Sequence, residues 1–173
     1  DDCIAIKGMG KKNSQAVDSI FILKSTLWTD RANVFRIGCE STAEAMKNIF
    51  INDIDVIHME IDQANHNTYS LQHDFCITLQ PAENMPIKDC VFENIRVNWE
   101  NQSNLIECRP DVTEWSKPPF GRIENIVFRN INCSSSHNNM KGQGRISVVG
   151  MGEYYYVKNV LFENIMWNSE CIK

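Results

Sequence analysis

The chain has 173 residues, 43% hydrophobic and 23% charged, a composition that fits one globular domain and excludes disordered or low-complexity readings. Its 17 Lys and Arg against 22 Asp and Glu leave a formal charge of -5, so nothing favours nucleic acid as a partner. No stretch approaches the roughly 18 consecutive apolar residues of a membrane helix, no membrane partner is expected, and Asp1-Asp2-Cys3 lacks the basic start of a signal peptide.

Taken in chain order, the first element is a strand-like run from Asp2 to Lys7. It opens at once, so the sequence reads as the C-terminal part of a longer chain. Next comes Val17-Asp18-Ser19-Ile20-Phe21-Ile22, a loose first copy of a phrase that returns as Met46-Lys47-Asn48-Ile49-Phe50-Ile51-Asn52-Asp53-Ile54. It recurs as Ile87-Lys88-Asp89-Cys90-Val91-Phe92-Glu93-Asn94-Ile95, as Ile123 to Ile131 and as Val157 to Ile165. The starts at 17, 46, 87, 123 and 157 lie 29, 41, 36 and 34 residues apart, too irregular for a helical array.

Apolar and polar residues alternate with period two inside each copy, which predicts strands. A second short strand is predicted between copies: Cys3 to Lys7, Val34 to Gly38, Phe75 to Gln80, Leu105 to Arg109 and Arg145 to Gly150. Stacking successive periods in parallel gives an all-β fold, a right-handed parallel β-helix of about five rungs spanning 1–173 as one domain. An antiparallel β-sandwich is the alternative, but it gives no reason for one phrase to return with fixed offsets. Asp53, Asn94, Asn130 and Asn164 close the phrase and are expected to form a polar ladder at a bend, because Asn and Asp tolerate left-handed backbone.

Seven cysteines show no zinc spacing. Most sit in apolar runs and read as buried free thiols, with one or two disulfides as the alternative.

Function should sit on outward positions. Stacking Ile4 and Ile6 on Phe35 and Ile37, and these on Phe75 and Ile77, sets Asp2 beside Asn33 and Asn33 beside His73. Adjacent acids suit proton transfer to and from a glycosidic bond, since one must stay protonated while another activates water. The plain alternative is a turn before a strand. Arg36 points outward between Phe35 and Ile37, Glu40 follows at the rim, and His58 and Glu60 share one side of their strand. Trp28 and Trp115, the latter in the long loop from Arg109 to Gly121, are candidates for stacking on sugar faces.

The block Asp1-Asp2-Cys3-Ile4-Ala5-Ile6-Lys7 resembles the Asp-Asp-Cys-Ile-Ala-Ile-Lys block of the polygalacturonase-like glycoside hydrolases, family 28, of the pectin-lyase-like β-helix superfamily. The resemblance implies an inverting glycosidase acting on a polysaccharide or oligosaccharide, extracellular or periplasmic, with Asp1 and Asp2 catalytic and no metal or other cofactor. Asn33, Arg36, Glu40, His58, Glu60, His73 and Trp115 are the expected substrate-binding residues. The family's Gly-His-Gly falls on Ala32-Asn33-Val34, and the strand comparable to its Arg-Ile-Lys reads Val56-Ile57-His58-Met59-Glu60. A sugar other than galacturonate fits these departures. A non-catalytic glycan-binding β-helix stays open, as does a calcium-dependent polysaccharide lyase, for which Asp74 or Glu40 would have to join Asp1 and Asp2.

Overall fold

A computed structural model describes residues 1–8, 15–59, 75–82, 84–99, 104–110, 121–135 and 145–172, and among them the regular elements are all strands. In chain order these are β1 (Ile4–Ile6), β2 (Val17–Thr29), β3 (Phe35–Gly38), β4 (Met46–Met59), β5 (Ile77–Gln80), β6 (Ile87–Trp99), β7 (Asn104–Cys108), β8 (Ile123–Ser135), β9 (Arg145–Val148), β10 (Val157–Trp167) and β11 (Glu170–Cys171). Short strands form one sheet in the order β1-β3-β5-β7-β9, and long strands form another in the order β11-β10-β8-β6-β4-β2. The chain therefore alternates between two sheets, and each sheet grows in sequence order. Every pairing among the described strands is parallel except that of β10 with β11.

Register explains why the phrase repeats. Ile20, Ile49, Cys90, Ile126 and Val160 lie level across the long sheet, as do Ile22, Ile51, Phe92, Phe128 and Phe162. Phe128 stacks between Phe92 and Phe162, with ring centroids 5.0 Å and 5.2 Å away. The sheets face each other through these columns, for Phe35 of the short sheet meets the Phe92 ring edge-on at 6.4 Å. Fully burying such side chains supplies about 1.5–3 kcal/mol each, which makes the columns the main source of cohesion.

Each long strand bends twice. Ser19, Asn48, Asp89, Asn125 and Asn159 have φ between 55° and 59°, and Lys24, Asp53, Asn94, Asn130 and Asn164 have φ between 50° and 60°. A left-handed residue interrupts the alternation, so inward positions are spaced by three across a bend and by two between bends. Asn and Asp lower the cost of that conformation and bond along the stack. Asn164 donates to Asn130 at 2.9 Å and Asn130 to Asn94 at 3.1 Å; at the other bend Asn159 donates to Asn125 at 3.0 Å and Asn125 to Asp89 at 2.9 Å. The expected ladder is present from Asn94 to Asn164 but does not reach Asp53, because Asn94 donates to Asn52 at 2.8 Å and Asp53 accepts from Arg96 at 2.8 Å; a second ladder runs beside it.

Two details differ from expectation. Phe35 lies level with Ile77 and Ile37 with Leu79, so the third short strand is shifted by two residues from the predicted Phe75 and Ile77. The repeated phrase is also only part of its strand, which continues past the second bend to Met59, Trp99, Ser135 or Trp167. At the far end, Asn168 and Ser169 both take positive φ and form the two-residue turn of a hairpin, laying β11 against β10. All seven cysteines are free thiols.

Gly38 shows how tightly successive turns of chain approach. Its φ is +93°, and a Cβ there would overlap the Gln80 carbonyl. The Cys39 N–H donates to that same oxygen at 2.6 Å.

Candidate active site

The short sheet puts a polar row on its outer face. Ala5, Arg36, Thr78, Glu107 and Ser147 lie level from β1 to β9. Thr78, Glu107 and Ser147 are buried despite pointing away from the apolar core. Polar side chains removed from water require partners, and Glu107 is met by Arg109 at 3.9 Å.

Pairing between β1 and β3 continues upstream of both strands. The Cys3 N–H donates to Asn33 O and the Ile4 N–H to Val34 O, each at 3.0 Å. Asp2 is thereby held beside Asn33, as the sequence predicts, and the Asn33 N–H donates to Asp2 Oδ1 at 3.1 Å. Asp1 is exposed, and its Oδ1 accepts the Asp2 N–H at 2.9 Å. Thr29 at the end of β2 donates to the Asp1 carbonyl at 3.2 Å, which ties the acidic pair to the long sheet.

Asn33 organises what lies behind Asp2. It is only 1% exposed, and its Nδ2 donates to Phe75 O at 2.6 Å and Thr78 Oγ1 at 2.9 Å. A backbone carbonyl can only accept, so the amide orientation is fixed and Oδ1 must face the other way. There it accepts from Arg36 Nη1 at 2.7 Å. Arg36 Nη2 reaches Gln80 Oε1 at 3.0 Å and Cys39 Sγ at 3.6 Å, so the guanidinium is pinned by neutral acceptors flanking β3 and on β5. Burial pushes the Asp2 carboxyl above its ordinary range, and the nearby Arg36 charge pulls against that shift without cancelling it.

The remaining expected residues are dispersed. Glu40 follows Gly38 and Cys39 in a run of three positive-φ residues and pairs with Lys7 at 2.6 Å. His58 is half-buried near the end of β4, where its ring stacks on Trp28 with centroids 5.4 Å apart and 26° between planes. Glu60, His73 and Trp115 lie outside the described residues, and the two-residue register shift brings Phe75 level with Asn33.

Asp2, Asn33 and Arg36 thus come together as expected, with Thr78 and Gln80 as unforeseen members. Glu107 is a further unforeseen member, although a charge inside Leu105-Ile106-Glu107-Cys108 is a visible break in an apolar run. Among the described residues, no group of three or more His, Cys, Asp or Glu gathers at a distance suited to one metal ion. No protein-family model, curated protein or solved structure matches this chain.

Proposed function

We propose that the chain coils as a right-handed parallel β-helix and carries the hydrolytic face of a polygalacturonase-like glycosidase, secreted to the cell exterior or the periplasm. The handedness follows the strong rule for crossovers between parallel strands, and the enzymatic reading rests on the Asp1-Asp2 block. One observation carries it: Asp2 is half-buried beside Asn33 and Arg36, and burial holds its carboxyl above the ordinary range. A carboxylic acid that keeps its proton longer than usual suits the donor role in glycoside cleavage.

In this reading a polysaccharide or oligosaccharide lies along the outer face of the short sheet. Asp2 gives its proton to the glycosidic oxygen as the bond from that oxygen to the anomeric carbon breaks. A water attacks the opposite face of the same carbon, and Asp1 takes the proton that water loses. The product is inverted, and solvent exchange restores both carboxyls. Arg36 limits how far burial raises the Asp2 carboxyl, while Asn33 keeps both in place from below the surface.

The test is release of reducing ends across a panel of plant, algal and bacterial polysaccharides by the wild type and by Asp2→Asn. Turnover of at least one glycan, lost in the variant while the fold persists, is the expected result. Full turnover by Asp2→Asn would remove the assignment, and binding with no turnover by the wild type would favour the non-catalytic glycan-binding alternative.

A further inference from the structure

The ends of β2 and β4 carry a feature that the acid pair does not use. Leu27 lies level with Val56, but Trp28 lies level with His58, so β4 holds one extra residue, Ile57, at a β-bulge. Bulges re-aim side chains. Here the irregularity brings the indole of Trp28 onto the imidazole of His58 at 5.4 Å, while Trp28 stays 58% exposed and Ile57 56% exposed. A large ring supported on one side and open to water on the other presents a flat, oriented apolar face on which a ligand ring can stack.

Its place relates it to Asp2. The Trp28 carbonyl accepts the Cys3 thiol hydrogen at 3.2 Å, and Thr29 donates to the Asp1 carbonyl at 3.2 Å. The platform is therefore within one residue, on both chains of contact, of the Asp1-Asp2 segment. We infer that Trp28, stacked on His58, is a sugar-binding platform that takes the apolar face of the pyranose next to the bond at Asp2. This inference rests on the glycan reading of that face. The ligand class follows from the chemistry: a flat amphipathic ring beside two acids offers C–H stacking together with acceptors for hydroxyl groups. The formal charge of -5 gives no attraction for a polyanion.

The experiment probes an array of plant, algal and bacterial oligosaccharides with the wild type, Trp28→Ala, Trp28→Phe, His58→Ala and Asp2→Asn, followed by titration calorimetry on the tightest ligand. Trp28→Ala should weaken binding about tenfold or more, and Trp28→Phe should retain most of it, since a stacking ring is kept. His58→Ala, which unbacks the indole, should fall between them. Asp2→Asn should lose turnover while its residual binding still depends on Trp28. Trp28 is exposed enough that its loss leaves the core intact, and an unchanged melting temperature verifies this. Equal affinity of Trp28→Ala and wild type overturns the platform, as does a wild type that binds no array member. Turnover that needs Asp2 without Trp28-dependent binding leaves the hydrolase and removes the platform; Trp28-dependent binding without turnover does the reverse.

Discussion

The Asn33 N–H donates to Oδ1 of Asp2 at 3.1 Å, while the Asn33 side chain is turned inward to Phe75 O, Thr78 and Arg36. One residue thus touches the acid with its backbone and the neighbouring cation with its amide. Asn33→Ala keeps the first contact and removes the second, leaving a buried carbonyl and hydroxyl without their donor. Loss of such partners costs about 1–3 kcal/mol per group, so the variant should lose about 2–6 kcal/mol in urea denaturation. A midpoint equal to that of the wild type would show that this amide is not holding the short sheet together.

Asp2 also makes stability depend on pH. Its carboxyl lies above the ordinary value of 3.8 in the folded protein, so the fold binds that proton more tightly than the unfolded chain does. Its contribution is fully present below the ordinary value and is lost as pH rises through the raised folded value. Asp2→Asn keeps an oxygen for Asn33 and has nothing to lose. Melting curves of the two proteins should therefore lie closest in acid, with the variant gaining on the wild type toward neutrality. A gap that widens toward acid would contradict the sign.

The asparagine ladder can be weighed at its middle. Asn130 has φ 52°, donates to Asn94 and accepts from Asn164. Asn130→Ala loses both bonds and keeps a Cβ in left-handed backbone without the side-chain bonding that eases it for asparagine, at up to about 1–2 kcal/mol for the conformation plus about 0.5–1.5 kcal/mol for each bond. Asn130→Gly loses the bonds alone. The alanine variant should be the less stable in chemical denaturation, and the opposite order would place the ladder's value in the side chain only.

Thiol labelling checks the core. Cys171 is exposed and Cys3 half-buried, whereas Cys76, Cys90, Cys108 and Cys133 are buried, and burial pushes Cys90 up to about 12 and raises the other three well above the ordinary thiol range. Only a thiolate attacks disulfide reagents quickly. Ellman's reagent should label Cys171 rapidly, Cys3 slowly and these four only after unfolding. Rapid labelling of Cys90 or Cys133 in the native protein would rule out the packed columns.

Much of this architecture can be read from the chain because stacking imposes like on like. Asn94, Asn130 and Asn164 return at fixed offsets since few side chains tolerate their backbone, and Phe92, Phe128 and Phe162 return because each packs on the next. The other bend was harder to see: Ser19 and Asp89 vary the residue type, and plain alternation hides the spacing of three. The register of β5 is ambiguous in the sequence because Phe75 is as apolar as Ile77 and the residues before it offer no anchor. A bulge has no composition signal, so the Trp28–His58 stack emerges only from pairing. Glu107 similarly becomes meaningful once its row with Arg36 and Thr78 is known.

The pH dependence of kcat/KM for the glycan that the panel identifies, compared between wild type and Arg36→Gln, tests the proton donor most directly. Arg36 lowers the Asp2 carboxyl against the push of burial. Its removal should raise that carboxyl further and move the alkaline fall of activity to higher pH. A limb that stays in place or moves toward acid would contradict the role of Asp2 as the acid.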